Sequence, residues 1–227
     1  MVILRKKLLN SVRAIIFDMD GTLIDSIDVY HGIIQDIMKR LGMELNATRE
    51  LVFESLSRGR KLSEFLFPPH LENRMRIVDQ FNGLAMNAFR EIFSRGDVEL
   101  IDGVSPVFGE LRRRGFFLAI VTSSLTEVIV PFLKAKNLHP YLHCVLGRTE
   151  VPQLKPSPAP LLKCMEILDV EPAESVYVGD SAIDIQAGKA AGMLTVGVLT
   201  GTSDLSRLKA EAPDAILNSV GDLLTIL

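Results

Sequence analysis

Asp18, Asp20, Asp180 and Asp184 are the residues whose types and spacing point most directly to chemistry in this chain. Asp18 and Asp20 close a short apolar run in Ile15-Ile16-Phe17-Asp18-Met19-Asp20-Gly21-Thr22, and Asp180 and Asp184 follow a second run, Ser175-Val176-Tyr177-Val178-Gly179. Thr122 and Ser123 end a third run at 116–121, and Lys155 lies in Lys155-Pro156-Ser157-Pro158. Strands of a parallel sheet bring their carboxyl ends to one edge, so groups remote in sequence can converge there. Four clustered carboxylates repel one another unless a cation or a proton compensates. Hard oxygen donors in that number suit Mg²⁺, which binds a few carboxylates and keeps waters that a phosphate can displace.

The spacing excludes a calcium loop. That loop needs glycine at its sixth position and Glu at its twelfth, whereas Gly21 is fourth and Tyr30 thirteenth counted from Asp18. Taken singly, each motif also has a structural reading. Asp and Gly close strands, Thr122 suits a helix N-cap, Lys155 a solvated surface and Asp184 the first turn of a helix.

The elements that must position these groups alternate. Residues 12–17 are apolar apart from Arg13 and too short for a helix, which predicts a strand buried on both faces. Further strands are expected at 116–121, 144–146, 175–178 and 194–199, with a short strand and a helix in the tail from 215. Helices are expected over 102–114, 127–136 and around Leu161, Leu162, Met165 and Leu168. Between 25 and about 100 the pattern is helical only. Asp25, Ser26 and Asp28 offer capping and first-turn acids to a helix carrying Val29, Ile33, Ile37 and Leu41, with Gly42 at its end. A second helix is expected over 48–57, and one or two more over 71–93, with Gly83 as a candidate break. Strand and helix alternation implies an α/β fold, a parallel-sheet Rossmann-like core sandwiched by helices, carrying an inserted all-helical subdomain.

Composition narrows the function classes. The chain has 227 residues, 48% hydrophobic and 23% charged, with a formal net charge of -3, which gives no electrostatic case for nucleic acid. No apolar run is long enough to span a bilayer. The first nine residues run from apolar to basic, the reverse of a signal peptide, so a cytoplasmic location is expected. Cys144 and Cys164 are too few for a disulfide framework and read as reduced core thiols. His31, His70, His139 and His143 form no paired zinc pattern with them. Neither Gly-x-Gly-x-x-Gly nor a P-loop is present.

With its four motifs in order, the chain resembles the haloacid dehalogenase superfamily of aspartate-nucleophile phosphatases, nearest to the phosphoglycolate phosphatase-like subgroup with a helical cap inserted after the first motif. The resemblance covers nearly the whole chain. It implies a core formed by 1–25 and 100–227 and a cap formed by 26–99. It also implies that Asp18 attacks phosphorus and that Asp20 protonates the leaving oxygen and later takes a proton from water. Mg²⁺ would be held by Asp18, Asp180 and the Asp20 carbonyl, with Asp184 orienting the metal shell or Lys155. Thr122 and Lys155, with backbone N–H groups near Met19 and Ser123, would hold the phosphoryl oxygens.

Asp20 favours phosphate esters over halides, whose departure needs no proton donor. The expected partner is a small phosphorylated metabolite, and the expected assembly a monomer or homodimer. Arg58, Arg60 and Lys61, crowded around Gly59, are candidates to contact a second anionic group of the substrate. Two alternatives remain open. One is a hexose-phosphate mutase of the same superfamily, although Tyr30 stands where those enzymes carry a cap histidine. The other is a phospho-acceptor switch, which speaks for a shorter, capless chain with its acceptor on a middle strand.

Overall fold

A computed structural model describes residues 11–43, 48, 51–52 and 62–227. Strand β1 (Ala14–Phe17) is followed by the helices α1 (Ile27–Arg40), α2 (Leu62–Leu66), α3 (Arg74–Arg95) and α4 (Val104–Arg113). Then come β2 (Phe117–Val121), α5 (Thr126–Ala135), β3 (Cys144–Leu146), α6 (Ala159–Leu168), β4 (Ser175–Gly179), α7 (Ala182–Ala190), β5 (Leu194–Val198), α8 (Leu205–Ala210) and β6 (Ala215–Leu217). The tail ends in a helix of the 3₁₀ type over Val220–Thr225. The short helix α8 has no counterpart in the sequence reading.

The strands form one parallel sheet in the order β3-β2-β1-β4-β5-β6. The chain leaves β1 toward β2 and β3 and returns to its other side for β4, so the junction of β1 with β4 is the point where strand order reverses. Open α/β sheets bind their ligands at that point, beyond the carboxyl ends of the strands. Register makes the alignment definite, because Phe17 pairs with both Ile120 and Val178. Asp18, Thr122 and Asp180 therefore leave the sheet at nearly the same height.

Side chains along a strand alternate between faces, and two separate cores result. Ile15, Phe17, Leu118, Ile120, Val176 and Val178 belong to one apolar cluster. Ala14, Ile16, Ala119, Val121 and Tyr177 belong to the other, with Leu161, Cys164 and Met165 of α6. Cys164 is buried there, whereas Cys144 at the sheet edge is half-buried and not a full core thiol.

Among the described residues, the stretch from α1 to α3 is helical and builds a third cluster from Ile33, Ile34, Ile37, Met38, Phe67 and Phe81. Helix α3 runs unbroken through Gly83, where a Cβ would meet nothing within 4 Å. The glycine interrupts nothing because the exposed helix surface there leaves its backbone hydrogen bonds intact. Ser26 occupies the N-cap of α1, but its buried hydroxyl makes no capping bond and has no partner among the described residues. Of the helix expected over 48–57, Leu51 and Val52 are helical, and 53–57 lie outside the described residues. No helix among the described residues is long and apolar enough to cross a membrane.

Candidate active site

The site is built where β1, β2 and β4 end. Asp18 continues β1 and its N–H donates to Val178 O at 2.8 Å. The chain then coils over Met19, whose carbonyl accepts from Thr22, Leu23 and Ile24, while its side chain is buried in the main core. Gly21 makes this coil possible with a positive φ of 76°, and its α-carbon faces Asp180 and Gly201 so closely that a Cβ would lie 2.8 Å from each.

Lys155 is the centre of the charge arrangement. Its Nζ lies 2.6 Å from Asp18 Oδ1 and 2.6 Å from Asp184 Oδ1, and it donates to Tyr177 Oη at 3.0 Å. Lysine is almost never fully buried unless paired, and here it is 7% exposed between two buried carboxylates. Burial works against its positive charge, but Asp18 and Asp184 overcome that and hold its pKa well above the ordinary lysine value. Tyr177 has one hydroxyl proton, and Val121 O at 3.1 Å is a nearer acceptor than Asp184 Oδ1 at 3.3 Å.

Asp184 is fully engaged. Its Oδ1 meets Lys155, and its Oδ2 accepts from the Ser181 N–H at 3.0 Å and from the Ser181 hydroxyl, which closes a capping box at the start of α7. Asp180 is held differently. Thr202 donates to its Oδ2, and Thr22 reaches Oδ1 only at 3.4 Å. Burial, then the charge of Asp184, push its pKa up to about 7. One carboxylate oxygen from each of Asp18, Asp180 and Asp184 falls within 4.8 Å of the others. Three buried carboxyl groups beside a single ammonium gather more hard oxygen donors than Lys155 can neutralise, a set that fits a metal cation.

Asp20 and Thr122 join the site through Ser124. Ser124 donates from its backbone N–H to Thr122 Oγ1 at 3.1 Å and from its hydroxyl to Asp20 Oδ2 at 2.8 Å. Asp20 Oδ1 accepts from Tyr30 at 2.7 Å. Ser123 stands half-buried between Thr122 and Ser124. The geometry thus brings Asp18, Lys155, Asp180 and Asp184 into one cluster and sets Asp20 and Thr122 beside it. Arg58, Arg60 and Lys61 lie outside the described residues. Tyr177, Thr202, Ser124 and Gly201 were not anticipated as site residues. Tyr177 reads in sequence as one more strand residue, while a Gly-Thr-Ser loop after β5 carries only the general signal of glycine and hydroxyl residues beyond a parallel strand.

Fold and site together define a Rossmann-like α/β protein with a buried carboxylate–lysine centre at its switch point. Residues 15–198 match the family model for haloacid dehalogenase-like hydrolases, and the chain belongs to that family. A phosphoglycolate phosphatase of Aquifex aeolicus is 31% identical over 220 residues, covering 95% of this chain and 97% of its own length. One from Pseudomonas putida is 30% identical over 223 residues, covering 93% and 78%. The solved structure of a predicted phosphoglycolate phosphatase from Haemophilus somnus 129pt matches with a TM-score of 0.85 at 26% identity, over 95% of this chain and 98% of that one.

Proposed function

We propose that this chain is a Mg²⁺-dependent phosphatase that hydrolyses a small phosphomonoester, of the phosphoglycolate or sugar-phosphate kind, through an aspartyl-phosphate on Asp18. The observation that carries the reading is Lys155 Nζ at 2.6 Å from both Asp18 and Asp184 beneath a sheet edge that also presents Asp180. Its relatives' names support the substrate class. The segment 26–99 serves as a cap on a core of 1–25 and 100–227, and a cytoplasmic monomer or homodimer goes with this reading.

An Asp18 oxygen attacks phosphorus, the bond from phosphorus to the ester oxygen breaks, and Asp20 gives that oxygen a proton. Water then attacks the aspartyl-phosphate, Asp20 recovers the proton, and the Asp18 carboxylate and inorganic phosphate are released. Lys155, Thr122 and the N–H groups near Met19 and Ser123 hold the phosphoryl oxygens as their charge redistributes. Asp18, Asp180 and the Asp20 carbonyl are the groups to hold Mg²⁺, which when bound offsets the repulsion between anionic nucleophile and anionic ester. Asp184, with one oxygen committed to Lys155 and the other to Ser181, positions the lysine instead.

The test is Mg²⁺-dependent phosphate release from a panel containing 2-phosphoglycolate, sugar phosphates and nucleoside monophosphates, with Asp18→Asn as the blank. Release from one ester well above the blank is expected, with Asp20→Asn losing most turnover while still binding metal. Isomerisation of a hexose phosphate without net release would establish the mutase instead. A phosphoryl group that persists on Asp18 without turnover would establish a phospho-acceptor switch.

A further inference from the structure

Both oxygens of Asp20 are taken by hydroxyl donors, Tyr30 Oη on Oδ1 at 2.7 Å and Ser124 Oγ on Oδ2 at 2.8 Å. Neither donor belongs to a motif. Held at both oxygens, the carboxyl group cannot turn about its Cβ–Cγ bond without breaking a hydrogen bond. The donors come from different elements, Ser124 from the loop after β2 and Tyr30 from the first turn of α1.

The Tyr30 ring is itself fixed. It meets Phe89 edge-on with centroids 4.8 Å apart and stacks on Phe93 at 6.3 Å, and Phe93 in turn contacts Phe132 of α5 at 5.5 Å. Its orientation is therefore set by α3 and, through Phe93, by the main core. A tyrosine phenol ionises only at about pH 10, so at neutral pH Tyr30 keeps the proton it donates.

We propose that Tyr30 is a positioning residue for Asp20, its hydroxyl fixing the orientation in which Asp20 hands a proton to the departing ester oxygen. The proposal rests on the phosphatase reading above. It has a consequence that simple support of the fold would lack. An alkyl ester such as 2-phosphoglycolate must expel an alkoxide, which leaves only with the proton from Asp20 as the phosphorus–oxygen bond breaks. p-Nitrophenyl phosphate expels a phenolate that is stable without one. Misplacing Asp20 must therefore harm the first reaction far more than the second.

The experiment measures kcat and KM of wild type, Tyr30→Phe, Phe89→Ala and Asp20→Asn on 2-phosphoglycolate and on p-nitrophenyl phosphate, both with Mg²⁺. Tyr30→Phe keeps the ring and should lower kcat on the alkyl ester roughly tenfold or more with little change in KM, and lower it on the aryl ester by less than about threefold. Phe89→Ala, which leaves the hydroxyl but frees the ring, should show the same selectivity with a smaller loss. Tyr30→Phe should remove nothing further in the Asp20→Asn background. Equal losses on both esters, a change confined to KM, or an additive loss with Asp20→Asn would each overturn the proposal alone. Should 2-phosphoglycolate not be turned over, the best alkyl ester of the panel above takes its place, and a wild type inert toward p-nitrophenyl phosphate and every ester of that panel would overturn the phosphatase reading and the proposal with it.

Discussion

Thr202 donates twice to one oxygen of Asp180, from its backbone N–H at 2.5 Å and from its hydroxyl at 2.8 Å. Both bonds oppose the upward push of burial on the Asp180 carboxyl. Thr202→Val keeps the side-chain shape and the N–H but deletes the hydroxyl. With about 1 kcal/mol of hydrogen bonding lost, the Mg²⁺ concentration for half-maximal activity should rise roughly fivefold. A Mg²⁺ titration of activity, with kcat at saturating metal nearly unchanged, is the check.

The same carboxyl predicts a pH dependence. In the unfolded chain Asp180 ionises near 3.8, whereas in the metal-free fold it holds its proton up to about 7. The fold binds more protons in that window, so the contribution of Asp180 to stability is complete below about pH 4 and is lost as pH rises through 7. A cation on the ionised carboxylate reverses that loss. The Mg²⁺-induced rise in Tm should therefore grow from pH 5.5 to 7.5, and Asp180→Asn should flatten the trend. Thermal denaturation with Mg²⁺ and with chelator, at a series of pH values, measures it.

Two glycines make opposite predictions. A Cβ on Gly201 would fall 2.0 Å from Asp180 Oδ2 and 2.3 Å from its Cγ, so Gly201→Ala must displace the carboxylate. Activity should drop by at least about a hundredfold, a few kcal/mol of transition-state stabilisation. At Gly83, inside α3 and facing open space, alanine should stabilise the fold by about 0.5–1 kcal/mol with kcat unchanged. Denaturant melts and steady-state kinetics on the pair separate the two effects.

Lys155→Met leaves Asp18 and Asp184 buried without their shared cation. Loss of one partner from a buried ion pair costs about 3–5 kcal/mol, and turnover should vanish with it. Tyr177→Phe removes only the hydroxyl between Lys155, Asp184 and Val121 O, and should cost about 1–2 kcal/mol and reduce kcat without abolishing it. Urea melts of both variants, compared with wild type, give the order of the losses.

What the sequence reveals and what it withholds divide along physical lines. Asp18 and Asp180 are legible because each follows an apolar run and a parallel sheet gathers strand ends without further information, whereas Lys155, ahead of Pro156-Ser157-Pro158, is legible only as one of four ordered family motifs. Asp184 is legible as a helix-start acid, but its commitment to Lys155 depends on packing between segments 29 residues apart. Tyr177 is invisible as a site residue, since its ring belongs to a strand pattern and only the folded sheet shows that its hydroxyl reaches the edge. Thr202 lies 22 residues from Asp180 in a loop with no periodicity to read. Tyr30 attracts notice through its position twelve residues after Asp18, yet its bond to Asp20 follows from the rings of Phe89 and Phe93, which no local pattern predicts. Gly83 and Ser26 mislead in the other direction. A helix tolerates an exposed glycine, and a buried serine at an N-cap need not cap.

Helix α3 is 22 residues long, about 33 Å from end to end at 1.5 Å per residue. Its last turns are pinned, with Phe93 against Phe132, Arg90 paired with Glu127, and Gly96 close to Ala135. Pinned at one end, the helix is a lever whose fulcrum sits on α5 and whose free arm carries Phe81 and the rest of the third cluster. A tilt of about 5° at the fulcrum sweeps the far end through about 3 Å. Phe89 and Tyr30, close to the pivot, barely shift in the same movement. Any such tilt therefore displaces the third cluster while leaving the bond from Tyr30 to Asp20 nearly where it is.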